Sequence, residues 1–258
     1  HLRARQGRVL AVGSIAHTYS ATDPQDVDFA TRIQDCTVDI GAYEYNGAAN
    51  IVPTLADNVA TYYVTQNGGG AATATDPANV ACWMKLQKVL DAAGRYKFDN
   101  PATQVIVKLA AFPAGGDAGY MPRRSSVTEA NNPDAENPRS FSIMVPRGVE
   151  VWGGYTDDYT GESDHGFLES NRNVITNKTT LSGLYQADGQ DVNVYHVVTF
   201  TDYTFDTEGK VTENFLSNEG IISAMRDHDK AILDGLFITG GLADGVKVEN
   251  QRGGAAVL

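Results

Sequence analysis

A short apolar strand closed by a tight glycine corner recurs along this 258-residue chain, and the repetition predicts an all-β fold, a right-handed parallel β-helix. The clearest copy is Ala231-Ile232-Leu233-Asp234-Gly235-Leu236-Phe237-Ile238-Thr239-Gly240-Gly241, two β-rich stretches hinged by Asp-Gly and ended by Gly-Gly. Looser copies are Val149-Glu150-Val151-Trp152-Gly153-Gly154-Tyr155 and Thr179-Thr180-Leu181-Ser182-Gly183. Two further features agree. One amphipathic helix lies near residue 80, where the first coil of such a stack needs a cap. Long polar inserts separate the strands, and a stack tolerates them because each leaves from a coil corner.

The elements follow in order. Val38, Ile40 and Ala42 alternate with Thr37, Asp39 and Gly41, a period-two strand that closes residues 1–46. We read 1–46 as the C-terminal end of a preceding β-rich unit and the small-residue stretch 47–60 as a linker. Residues 61–258 then open a second unit. Thr61-Tyr62-Tyr63-Val64-Thr65 starts it as a strand, broken by Gly68-Gly69-Gly70.

Asp76-Pro77 supplies a helix start, with Asp as N-cap and Pro at the first helical position. From Val80 to Ala93 the residues Cys82, Trp83, Leu86, Val89, Leu90 and Ala93 share one face, and Gly94 reads as the stop. An uncapped first coil would expose apolar core and unpaired strand edges; this helix covers both. Predicted strands follow at 104–109, 141–145, 149–152, 179–181, 195–200, 231–233, 236–238 and 255–258, with inserts at 111–139, 156–178 and 201–229. A strand at 255–258 without a cap after it predicts a stack that continues in a longer parent chain.

Composition narrows the partners. The net charge of −12, from 20 basic and 32 acidic residues, excludes the cationic footprint that nucleic acid or an anionic membrane requires. An acidic polysaccharide would need a bridging cation such as Ca²⁺. No apolar stretch approaches the roughly 18 residues of a membrane span, and no signal peptide opens the chain. The Gly, Tyr, Thr and Asn content points to an extracellular setting. Cys36 and Cys82 fall in different units and are expected as buried or free thiols rather than a disulfide.

The chain also resembles a known group. Asp39-Ile40-Gly41-Ala42-Tyr43-Glu44, preceded by Asp26, Asp28 and Arg32, resembles the closing motif of the choice-of-anchor Q domain of secreted bacterial β-helix proteins. Residues 62–258 resemble the opening of such a β-helix, of the kind seen in polymorphic outer-membrane adhesins. The matching pieces are Tyr63-Val64, Trp83, Leu86-Gln87, the 105–109 strand, Trp152 to Tyr155, Arg172, Thr180 to Gly183, His196 to Val198 and Leu233 to Gly241. Gly253-Gly254-Ala255-Ala256 departs from the glycine-rich run ending in an aromatic that the group favours. The resemblance implies a secreted or bacterial cell-surface protein, partnered by a dedicated outer-membrane secretion machinery. It transfers no catalytic residue.

The residues themselves bear on four chemistries. A glycoside hydrolase needs two carboxylates roughly 5–10 Å apart; Asp157-Asp158 and His165 sit in one insert, not on successive coils. Asp157, Asp158, Glu162 and Asp164 offer hard oxygen ligands for Ca²⁺, as do Asp23, Asp26 and Asp28, though neither group has an EF-hand or nonapeptide spacing. A polysaccharide lyase would draw its base from Arg147, Arg172 or Lys178; we expect Arg172 instead to tie an insert to its coil. His1, His17, His165, His196 and His228 show no metal spacing.

Glycan recognition would use aromatics: Trp152 at a coil corner and Tyr155, Tyr159, Tyr185, Tyr195 and Tyr203 in or near inserts, since aromatic faces stack on sugars. Trp152, Tyr155, Tyr159, Tyr185 and Tyr203 are the ligand-binding candidates. The expectation is a non-catalytic adhesin or structural stalk whose inserts contact a glycan or surface protein. The alternatives are a polysaccharide-degrading lyase or hydrolase with its active site on coils outside this chain, and passive cargo of an outer-membrane secretion system. A line of carboxylates and Arg or Lys on adjacent coils of one face would favour the enzyme.

Overall fold

A computed structural model describes residues 33–34, 37–38, 51–68, 74, 79–112, 119–122, 138–156, 167–187, 190–205, 211–214 and 230–244, and the account below concerns these. The chain divides into two units, His1–Ala48 and Ala49–Leu258. In the first, β1 (Ile33–Gln34) pairs antiparallel with β2 (Thr37–Val38), Ile33 opposite Val38. β2 covers the first two residues of the strand read from the Thr37–Ala42 alternation; residues 39–42 lie outside the described residues.

The second unit is β-rich, with one α-helix among the described residues. In chain order it contains β3 (Thr54–Ala56), β4 (Val59–Thr65), β5 (Ala81–Cys82), α1 (Leu86–Asp99), β6 (Gln104–Ala110), β7 (Ile143–Pro146) and β8 (Val149–Tyr155). There follow β9 (Thr179–Ser182), β10 (Leu184–Ala187), β11 (Gln190–Asn193), β12 (Val198–Phe205), β13 (Val211–Asn214), β14 (Ile232–Asp234) and β15 (Leu236–Thr239). The stretch expected as a linker is in part structured. Asp57 and Asn58 take positive φ, 48° and 63°, which these residue types tolerate, and turn β3 back onto β4 as an antiparallel edge.

The remaining long-range pairs are mostly parallel. β4, β6, β8 and β14 lie side by side in chain order, all parallel. β7 pairs parallel with β12, β9 with β15, and Tyr120 bridges parallel to Leu181. The register of the first sheet explains its two faces. Tyr62, Val107, Val151 and Leu233 form one row across four strands, and Tyr63, Lys108, Trp152 and Asp234 form the next. Because strand side chains alternate, the first row faces the core and the second faces outward.

The core gathers Tyr62, Val64, Val105, Val107, Leu109, Val149 and Val151 from this sheet with Ile143, Val145, Leu181, Val197 and Val198 from the others. Each such side chain, fully buried, contributes about 1.5–3 kcal/mol. The phenol of Tyr120, wholly buried, lies 3.0 Å from the Val64 carbonyl and 2.8 Å from that of Ala110. It donates to one of them at a time and so ties the ends of β4 and β6.

The helix differs from the expectation at both ends. Asp76-Pro77 lies outside the described residues, Trp83–Lys85 forms a 3-10 turn, and α1 runs Leu86–Asp99 straight through Gly94. The cost of a mid-helix glycine, about 1 kcal/mol, is offset by what lies beyond it. Buried Lys97 donates from Nζ to the Pro101 and Thr103 carbonyls at 2.8 and 2.9 Å, and the Asn100 side chain caps the Tyr96 carbonyl at 3.0 Å. The buried face, Leu86, Val89, Leu90 and Ala93, is the one the periodicity indicated.

α1 also closes a strand edge. Gln87 Nε2 donates to the Met144 carbonyl at 3.1 Å, and its Oε1 accepts from the Met144 N–H at 2.9 Å. One side-chain amide thus meets both backbone groups of a buried β7 residue, as a neighbouring strand would.

The Asp-Gly hinge is dictated by space. Gly235 has φ +67°, and a Cβ there would lie 2.5 Å from Val174 Cγ1 and 2.8 Å from the Arg172 guanidinium. Cys82, buried at the end of β5, is disulfide-bonded, and no cysteine among the described residues is free. This corrects the expected thiols; Cys36 lies outside the described residues. A bridge depends on three-dimensional proximity, which cysteine spacing does not report. No helix among the described residues is long and apolar enough to cross a membrane.

Candidate functional site

The outward row of the parallel sheet places Tyr63, Lys108, Trp152 and Asp234 on four successive strands. A strap of residues 167–178 crosses this face between the end of the 156–178 insert and β9. Two local devices shape it. A 3-10 turn over Glu169–Asn171 sets Glu169 and Arg172 toward the sheet, and Asn173 Oδ1 accepts from the N–H of Ile175 and Thr176 at 3.0 and 3.1 Å to fold the next turn.

A second, smaller apolar cluster forms beneath the strap, from Tyr63, Val80, Ala110, Tyr155 and Phe167 with Trp152 packed against it. Phe167 sets its ring edge-on to Tyr63 at 5.1 Å between centroids and tilted to Tyr155 at 5.6 Å.

The polar groups around that cluster satisfy one another. Glu169 Oε1 accepts from Lys108 Nζ at 2.6 Å and from the Tyr155 hydroxyl at 2.7 Å. Lys108 Nζ also reaches the Phe167 carbonyl at 3.3 Å. Arg172 Nε donates to the Gly153 carbonyl at 2.8 Å, its second nitrogen lies 3.1 Å from Asp234 Oδ2, and its guanidinium sits 5.3 Å over the Trp152 ring. The pair with Asp234 is a charge contact without hydrogen-bond alignment. The Trp152 indole N–H donates to Glu150 at 3.0 Å, and Glu150 also accepts from Gln104 at 2.9 Å.

These contacts shift the titrating groups in opposite directions. Burial, then the hydrogen bond to Glu169 and its charge, push the Tyr155 phenol far above its ordinary value, with Arg172 opposing. Partial burial pushes the Glu169 carboxyl up, but the hydrogen bonds from Lys108 and Tyr155 and the charges of Lys108 and Arg172 outweigh it. The net result lies below the ordinary carboxylate value.

The sequence-predicted residues are distributed unevenly. Trp152 is half-buried under Arg172, and Tyr155 is 0% exposed, so neither offers a free face in this arrangement. Tyr155 lies buried beneath the strap in this arrangement. Tyr185 lies in β10, which pairs with β11 opposite Val192, and Tyr203 in β12 opposite Glu213 of β13; their side chains are outside the described set. Tyr159 and the Ca²⁺ candidates Asp157, Asp158, Glu162 and Asp164 also lie outside the described residues, as do Asp23, Asp26 and Asp28. Among the described residues no group of three or more His, Cys, Asp or Glu could hold a metal.

Arg172 does tie its insert to the sheet, the role expected for it. Lys108, Glu169 and Tyr63 were not singled out from the sequence. The alternation of 104–109 marks Lys108 as outward-facing, but nothing local pairs it with a glutamate 61 residues away.

No family model, curated protein or solved structure shows significant similarity to the chain.

Proposed function

We propose that this chain is a non-catalytic, secreted or surface-displayed scaffold, built as a right-handed parallel β-helix, that holds its inserts rigidly toward a glycan or protein partner. The observation that carries the reading is the pairing of side chains across the outward row of the sheet. Lys108 is matched by Glu169, Arg172 faces Asp234, and the Tyr155 hydroxyl is used. An active site leaves its acid or base poised; this face spends its charged groups on holding the strap. The in-register parallel order of β4, β6, β8 and β14, with long inserts between them, supports the β-helix. The disulfide at Cys82 supports an oxidising, extracellular compartment.

A second reading has its own observation. Lys108, Asp234 and the strap's Glu169 and Arg172 align over adjacent strands of one face, as a polysaccharide-degrading enzyme would arrange them. The shifts of Tyr155 and Glu169 weigh against it. A glycan array on the purified chain, with and without Ca²⁺, and reducing-sugar release from each bound glycan separates the two. Binding without release supports the scaffold; release abolished in Glu169→Gln would establish the enzyme.

A further inference from the structure

We propose that the first half of the strap, residues 167–171, is a releasable cover over an aromatic platform for a neutral saccharide, with Glu169 as its latch. The inference rests on the reading of this chain as a glycan-contacting scaffold. Three observations carry it.

The attachment is narrow. In this half of the strap, Phe167 is the buried apolar side chain, and Leu168 is 41% exposed. Lys108 and Tyr155 of the sheet both donate to the same oxygen of Glu169. That carboxylate is itself 55% exposed. The ion pair is therefore of the weakly stabilising, partly solvated kind.

A hinge lies next to it. Residues 173–177 stay docked by separate bonds, since the Gly154 carbonyl accepts from the Asn173 N–H at 2.8 Å and from Asn177 Nδ2 at 3.0 Å. Two long bonds join the 167–171 half to its neighbour, from the Arg172 N–H to the Glu169 carbonyl at 3.2 Å and from Asn177 Nδ2 to the Asn171 carbonyl at 3.4 Å, and lifting it breaks these two. Segments with few buried contacts occupy the low end of local opening free energies.

What lies underneath suits a sugar. Lifting Phe167 uncovers Tyr63 and Tyr155, with Trp152 at their margin, on a cluster separate from the main core. The ring of Phe167 occupies the place against those two tyrosines that a pyranose face would take. With Glu169 lifted away in the cover, two cations, Lys108 and Arg172, remain beside two carboxylates, Asp234 and Glu150. That balance suits an uncharged sugar and disfavours an anionic one.

The test is Glu169→Gln, which keeps the side-chain size and removes the charge, read by amide hydrogen exchange on the whole chain. The expected result is exchange at 167–171 at least tenfold faster than in the wild type, with 173–177, 104–110 and 149–155 unchanged. Unchanged exchange at 167–171 overturns the cover, and so does acceleration shared with β6 and β8. Lys108→Met removes the other side of the latch and is read identically if Glu169→Gln fails to fold.

Calorimetric titration with neutral gluco-, xylo- and manno-hexasaccharides tests the platform. The latch variant should bind one of them at least tenfold more tightly than the wild type. An opened strap with no saccharide bound by either protein overturns the ligand assignment. Equal binding by both with unchanged exchange sinks the cover while leaving the scaffold reading intact.

Discussion

The inner and outer faces of the β4–β6–β8–β14 sheet are made from alternate residues of the same strands, yet they are held by different forces. Inward, Tyr62, Val107 and Val151 are buried in a continuous apolar core. Outward, the neighbouring row Tyr63, Lys108, Trp152 and Asp234 is held by ring contacts and by hydrogen bonds that reach across from another segment. Burial of the first kind is non-directional and strongly stabilising. The second kind depends on geometry, is partly solvated and can be undone one bond at a time. One sheet thus presents a permanent face and a conditional one.

That contrast should appear as a gradient of mutational effects. Leu109→Ala, on the inner face, is expected to cost about 2–5 kcal/mol, visible as a large drop in the urea midpoint with little change in slope. Tyr120→Phe keeps the ring but leaves buried carbonyls without their donor, and about 1–3 kcal/mol should be lost. Gln87→Ala tests the edge in the same way, exposing the Met144 N–H and carbonyl to an unpaired state at a similar cost, about 1–3 kcal/mol.

On the outer face the effects should be smaller and depend on pH. The Glu169 carboxyl is held below its ordinary value of 4.5, so its contribution is present above that pH and lost as pH falls through the lower, folded value. Wild-type stability should therefore decline on acidification more steeply than that of Glu169→Gln, measured by urea titrations between neutral and acid pH. A match between the two curves would remove Glu169 from the outer face's energetics. At the bottom of the scale, Arg95→Ala breaks an exposed i,i+4 pair with Asp99 and should cost less than about 0.5 kcal/mol.

The same contrast separates what the residues reveal from what they conceal. Strands β4, β6, β8, β9, β14 and β15 were legible because their inner faces repeat with period two, and β8, β9, β14 and β15 also carry Gly or Asp-Gly at or beside their ends. The buried stripe of α1 was legible for the analogous reason at period 3.6. Its extent was not, because Lys97 and Asn100 sustain the helix past Gly94 through contacts that propensity does not encode. Hairpin β10–β11 falls between the strands read at 179–181 and 195–200, and the paired part of β12–β13, 202–205 with 211–214, lies in or beyond the start of the insert read at 201–229.

The outer network was hidden for a different reason. Its partners are far apart in sequence: Lys108 and Glu169, Arg172 and Asp234. Each alone reads as a surface charge. Tyr155 was noticed for its aromatic ring, but its burial follows from Phe167 and the strap above it, which only the tertiary arrangement supplies.

Gln87 carries a consequence for how strands can add to the molecule. A primary amide has the same donor and acceptor as a peptide group, so β7 has a strand on one side and a peptide look-alike on the other. At Met144 the sheet is finished, and a foreign strand would have to evict a side chain already making the bonds it offers. Pairing through β7 is thereby given a direction, toward β12 and away from the helix. A single residue in the first turn of α1 sets that polarity, at a point where apolar packing alone would have covered the edge without satisfying it.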